Sequence, residues 1–85
     1  MAIQVVTLTA KDGFHARPAS MFVKMANGFK SDITLSFGDN TVNGKSIMSI
    51  LTLGASSGSD VTLNVVGEDE AEAFEALIAF LRDME

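Results

Sequence analysis

The chain predicts a two-layer fold, one β-sheet with a set of helices packed on one of its faces. Hydrophobic alternation with a period of two recurs in short stretches, at Ile33–Phe37 and Val61–Val65 and in blurred form at Val5–Thr9. Between and after these stretches, apolar residues recur at helical spacing. Strands with one polar face need cover on the other face only, which puts the helices in a single layer. The order is strand, helix, strand, strand, helix, strand, helix.

In the first strand, Val6 and Leu8 are the inward pair, with Thr7 and Thr9 outward. Lys11-Asp12-Gly13 supplies a loop. Ala19, Phe22, Val23 and Ala26 stand at i, i+3, i+4 and i+7 and define the buried face of the first helix. Pro18 suits its first turn, where a missing N–H costs nothing. Gly28 suits a left-handed position just past its end. Ile33, Leu35 and Phe37 alternate with Thr34 and Ser36 as a half-buried strand. Gly38-Asp39-Asn40 turns the chain, and Thr41-Val42-Asn43 returns as a short strand ended by Gly44. Ser46 then caps a helix of about two turns, Ile47 to Leu53, which Gly54 stops. Ala55 to Ser59 is a small-residue loop. Val61, Leu63 and Val65 alternate with Thr62 and Asn64 in the last strand. Phe74, Leu77, Ile78 and Leu81 mark the last helix. Asp69 and Glu72 resemble a capping box, with aspartate in place of serine or threonine. The acidic run Glu68-Asp69-Glu70 favours a helix start and Arg82 a helix end.

A length of 85 residues fits one domain, 1–85, and not two. A domain this small buries only roughly 60–65% of its unfolded surface. Hydrophobic residues make up 47% and aromatics 7%, so the core must be aliphatic, with Phe14, Phe22, Phe29, Phe37, Phe74 and Phe80 as its few large pieces. There is no cysteine, which excludes disulfides and thiolate metal sites. With a single histidine, no transition-metal site is expected. The net charge of −5 argues against nucleic acid as a partner. No cationic, apolar leader opens the chain and no run approaches about twenty apolar residues, so a cytoplasmic protein without membrane insertion is expected.

The most specific chemical suggestion lies in Gly13-Phe14-His15-Ala16-Arg17-Pro18-Ala19-Ser20. Imidazole is a competent neutral nucleophile near neutral pH. A phosphoryl group on its nitrogen is held by a labile P–N bond and can be passed on. Arg17 can steady that group with charge-assisted hydrogen bonds. The free N–H groups of Ala16 and Arg17 at the helix start can point at the same anion, and Pro18 fixes the backbone there. Spacing alone does not decide the matter, since a lone histidine near a helix start is more often a cap or a surface group.

The second helix carries a separate feature. Ile50 and Leu53 suit the core, while Ile47, Met48 and Leu51 fall on another side as an exposed aliphatic patch fit for reversible docking. Ser20, Met21 and Lys24 lie near Arg17 on the first helix by their spacing. Arg17, Lys24 and Lys45 would give this surface a basic rim that favours acidic partner surfaces. As a helix cap, Ser46 is worth about 1 kcal/mol.

The string Gly-x-His-Ala-Arg-Pro-Ala closely resembles the active-site signature of the histidine-containing phosphocarrier family, HPr, of the phosphoenolpyruvate-dependent sugar phosphotransferase system. The likeness covers essentially the whole chain and includes the segment Lys45-Ser46-Ile47-Met48. It implies an α+β open-faced β-sandwich, a four-stranded antiparallel sheet with three helices on one face. It also implies a relay without a cofactor, in which phosphorylated enzyme I charges His15 at Nδ1 and His15 passes the group to enzyme IIA components. In that relay Arg17 steadies the phosphoryl group, and Pro18 and Ala16 are structural members of the site. The chain would then be a covalent transfer intermediate rather than a stand-alone enzyme, and a monomer is the simplest expectation. The resemblance further makes Ser46 a regulatory site for a serine kinase/phosphorylase in some branches. Three departures stand out. Gly44 occupies a position that is often leucine in members with the regulatory serine, so a looser approach to Ser46 is expected. Phe14 is bulkier than the usual aliphatic residue, and Asn27 stands where some members are basic. Two alternatives share the scaffold: a carrier of a nitrogen-related phosphorelay, and a non-catalytic regulatory binding module. Modules of the second kind are expected to lack the active histidine, so His15 argues against that reading.

Overall fold

Alternation and helical spacing resolve into seven elements in a computed structural model, which describes residues 2–8, 16–54 and 58–83. They are β1 (Ala2–Thr7), α1 (Ala16–Ala26), β2 (Asp32–Phe37), β3 (Asn40–Asn43), α2 (Ile47–Thr52), β4 (Asp60–Val66) and α3 (Glu70–Asp83). The strands form one antiparallel sheet in the order β1-β4-β2-β3. The architecture is the α+β open-faced sandwich, in the predicted element order. Thr9, the loop Lys11-Asp12-Gly13, Phe14, His15 and the segment 55–57 lie outside the described residues.

The register puts the apolar side chains of successive strands in line. Val6 of β1 faces Val61 of β4, Leu63 of β4 faces Leu35 of β2, and Leu35 in turn faces Val42 of β3. Val6, Leu8, Ile33, Leu35, Val61, Leu63 and Val65 are all buried on this face. From α1 they meet Ala19, Phe22, Val23 and Ala26, the four residues given by the spacing. Ile50 and Leu53 complete the core from α2, and Ala73, Leu77, Ile78 and Leu81 from α3. Each fully buried large aliphatic side chain contributes about 1.5–3 kcal/mol. Phe22 is the one wholly buried aromatic residue among those described, and its ring lies 6.0 Å from that of Phe80 at a tilt of 58°. Phe29, Phe37, Phe74 and Phe80 are only half-buried at the core margin.

Three local expectations are corrected. The first strand starts earlier than Val5; Ile3 and Val5 belong to it but stand exposed on the open face, which blurs the alternation. Gly28 is not left-handed, because none of the positive-φ glycines is Gly28. Helix α1 instead tightens at its end, with Gly28 N–H donating to Met25 O (3.0 Å) and Phe29 N–H to Ala26 O (3.1 Å). A Cβ at position 28 would lie 3.2 Å from Met25 O, so glycine serves this close approach. Finally, Asp69 and Glu72 do not form the expected box. Glu70 reaches back to Gly67 N–H (3.2 Å), and Asp69 turns its carboxylate to another part of the chain.

Candidate functional site

Helix α1 opens at Ala16, so the signature histidine directly precedes its first residue in sequence, although His15 itself lies outside the described residues. The first turn contains no acidic residue, which leaves the positive end of the helix dipole uncompensated from within the helix. Pro18 is buried in this turn and has no N–H, so Ala16, Arg17 and Ala19 carry its backbone donors. Arg17 is exposed, as are Ser20, Met21 and Lys24 on the same side of α1, away from the buried Phe22 and Ala26.

The segment before α2 is tied down at several points. Gly44 N–H donates to Ile33 O (2.7 Å), and a Cβ there would lie 2.6 Å from Ile33 Cγ2 and 3.3 Å from Phe22 Cε1. The approach to Ser46 is therefore wedged against the core, not loosened. Lys45 N–H donates to Asn43 Oδ1 (2.9 Å), while its ammonium donates to Phe29 O (2.8 Å). That cation is held on backbone, in contrast to a freely solvated rim charge. Asn27 Nδ2 donates to Val23 O (3.0 Å) and reaches Lys45 O (3.4 Å). Asn27 thus joins the end of α1 to the start of α2, a role its sequence context does not announce.

Ser46 is the N-cap of α2, with extended backbone (φ −123°, ψ 118°) and Oγ accepting from Ser49 N–H (3.3 Å). Ile50 and Leu53 point into the core. Met48 is 72% exposed, Ile47 39% and Leu51 38%, so the helix does present a second, outward aliphatic side. Helix α2 packs beside α1.

A further polar cluster lies on the β2 side of α1. The Asp69 carboxylate accepts from the Ser31 hydroxyl, from Ser31 N–H (2.9 Å) and from Lys30 N–H (2.9 Å). The Ser31 hydroxyl first, and the Lys30 N–H next, hold the Asp69 carboxyl below its ordinary value. Gly67 sits so close that a Cβ would lie 2.6 Å from Ser31 Cα. Residues 30–31 and 67–69 are thereby fixed to each other. Among the described residues no group of His, Cys, Asp and Glu converges as a metal site, and no helix is long and apolar enough to cross a membrane.

Compared with known proteins, residues 3–83 match the family described as the PTS HPr component phosphorylation site. The chain belongs to the HPr family of phosphocarrier proteins. It is 46% identical over 83 residues to the HPr-like protein Crh of Bacillus subtilis, covering 98% of each chain. The crystal structure of a phosphocarrier protein HPr from Bacillus anthracis str. Ames matches with a TM-score of 0.89 and 42% identity, over 94% of this chain and 95% of that one. A crystal structure of Crh from Bacillus subtilis, described as a dimer with a swapped domain, matches with a TM-score of 0.80 and 45% identity, over 100% and 98% of the two chains. HPr membership therefore does not by itself imply a monomer.

Proposed function

We propose that this chain, folded as one domain over 1–85 in the cytoplasm, carries a phosphoryl group on His15 between enzyme I and the enzyme IIA components of sugar uptake. The observation that carries the reading is the start of α1. The only histidine of the chain immediately precedes a helix N-terminus with no acidic residue in its first turn, and Arg17 stands exposed one position inside. In the transfer step His15 Nδ1 attacks the phosphorus held by enzyme I. The P–N bond to the donor imidazole breaks as the new one forms; in a second displacement an enzyme IIA imidazole attacks the same phosphorus, and the P–N bond to His15 breaks as the group moves on. Such a step needs alignment and charge neutralisation more than proton transfer. The Arg17 guanidinium supplies fixed positive charge, Ala16 and Arg17 supply backbone donors, and Pro18 holds the turn in place. The chain is a covalent intermediate in this scheme, not a stand-alone enzyme.

The partners dock on the outward sides of α1 and α2. Ser20, Met21, Ile47, Met48 and Leu51 provide apolar and small contacts, and Arg17 and Lys24 the cationic margin, with the Lys45 ammonium beside it anchored on Phe29 O. Phosphate on Ser46, placed by a serine kinase/phosphorylase, adds about −1.5 to −2 charge beside this patch while suiting a helix start. That modification hinders enzyme I more than it harms the fold.

Incubation with enzyme I and labelled phosphoenolpyruvate should give an acid-labile phosphoprotein. His15→Ala should abolish the label, and Arg17→Ala should slow its appearance without lowering thermal stability. Label that survives in His15→Ala overturns the assignment. The similarity to Crh favours a second reading, a regulatory module controlled at Ser46. Under that reading ATP and a serine kinase label the chain, whereas enzyme I and phosphoenolpyruvate do not. Transfer to an enzyme IIA of the nitrogen-related relay, and not to a sugar-specific one, would move the chain to that branch.

A further inference from the structure

We propose that Met21 and Met48 form a reversible oxidation site, and that sulfoxide at these positions weakens partner docking; the second clause rests on the docking surface given above. All three methionines among the described residues, Met21, Met25 and Met48, lie on α1 and α2, and none belongs to the buried core. Methionine ordinarily fills irregular gaps in an interior. Among the described residues Met48 is the most exposed large hydrophobic side chain at 72%, followed among the methionines by Met21 at 55% and Met25 at 37%. With no cysteine in the chain, thioethers are its only sulfur and its only soft targets for two-electron oxidants. Met21 stands one turn beyond Arg17, and Met48 stands one turn before Leu51, both at same-side helical spacing.

The oxidant is a hydroperoxide. A sulfur lone pair attacks its distal oxygen, the O–O bond breaks, an S–O bond forms, and water or an alcohol leaves. Sulfur loses two electrons and the peroxide gains them. Methionine sulfoxide reductases restore the thioether with electrons from a dithiol. The product places a strong dipole where an arriving partner must exclude water, and burying such a group without a hydrogen-bond partner is unfavourable. The fold is spared, because neither side chain contributes to the core.

The test treats the protein with hydrogen peroxide, removes the oxidant with catalase and maps sulfoxide by peptide mass. Sulfoxide should form first at Met48, then at Met21, with Met25 slower. Transfer of phosphoryl groups from enzyme I should slow by roughly three- to tenfold at subsaturating concentration, with the thermal midpoint unchanged, and should recover after treatment with the reductases. A Met21→Leu/Met48→Leu protein, whatever its starting rate, should lose none of it to peroxide. The inference is overturned if Met48 oxidises no faster than Met25, or if the double variant is slowed as much as the parent. It also falls if the fully oxidised protein transfers at the parent rate. In that last case a slow Met48→Glu variant keeps the docking surface standing, and a Met48→Glu variant at the parent rate removes the docking surface as well.

Discussion

Gly44→Ala should destabilise the protein although the residue has no unusual backbone conformation. The added Cβ would lie 2.6 Å from Ile33 Cγ2, 3.1 Å from Ile33 O and 3.3 Å from Phe22 Cε1. Phe22 is wholly buried and Ile33 nearly so, and Cγ2 sits on a β-branched carbon whose χ1 is stiff. Overpacking of this kind costs about 1–3 kcal/mol. Against it stands a gain of about 0.4–1 kcal/mol, because alanine narrows the unfolded ensemble where the native φ suits it. The clash wins, by about 1.3 kcal/mol at the centres of these two ranges. At this chain length each kcal/mol lowers the unfolding midpoint by roughly 4–8 °C. Thermal unfolding of Gly44→Ala, Ile33→Leu and the double variant forms a cycle that isolates the contact. Leucine at position 33 removes the Cγ2 branch, so Gly44→Ala should cost less there, with a coupling of about 0.5 kcal/mol or more. A Gly44→Ala protein as stable as the parent, or one losing the same amount in both backgrounds, would refute the wedge.

Ser46→Ala should lose about 1 kcal/mol in denaturant unfolding, whereas Ser46→Asp keeps a cap acceptor and most of that stability but slows labelling by enzyme I; equal destabilisation of the two variants would contradict the cap. Asp69 has a folded-state pKa below its ordinary 3.8, so its contribution is complete above that value and is lost as pH falls through the lower, folded pKa. Asp69→Asn should therefore reduce stability at neutral pH and flatten the acid limb of the stability profile, and an unchanged acid limb would count against the Ser31–Asp69 contact. Met48→Glu should lower the affinity for enzyme I with little change in thermal midpoint, since the side chain is exposed; transfer at the parent rate across a concentration series would exclude that side of α2.

What could be read from the sequence was local and periodic. The faces of α1 and β4 were legible because their apolar spacing has one solution, and the two sides of α2 because six helical residues cannot bury both Ile50 and Met48. The failures share a cause, which is competition between local and distant partners for the same groups. An aspartate before a helix reads as a cap, yet Asp69 binds Ser31, 38 positions away in sequence. A glycine after a helix reads as a left-handed stop, yet Gly28 permits a tight turn held further by the Lys45 ammonium on Phe29 O. Asn27 reads as a missing cation, and only the folded chain shows it spanning Val23 O and Lys45 O. No periodicity encodes such pairs, because side-chain hydrogen bonds between separate elements leave no repeat in the sequence.

Those same contacts bear on how a charge at Ser46 would act. The residue preceding it is anchored to Phe29 through its ammonium and to Asn27 through its carbonyl, so the start of α2 is fastened to the end of the helix that carries Arg17. Ile50 and Leu53 hold α2 from beneath. The outward patch is thus held from beneath and from its N-terminal side, without help from the exposed Met48. A negative group at Ser46 would meet a helix N-terminus, where it is stabilising, on a segment already fixed from both sides. Unfolding is then the wrong way to silence this surface, and a change in the field facing the partner is the effective one. The distinction is measurable: Ser46→Asp should raise the concentration of enzyme I needed for half-maximal transfer, increasingly so at low salt, while its unfolding midpoint stays near that of the parent. A salt-independent defect would mean that the charge acts through distortion of α2 instead.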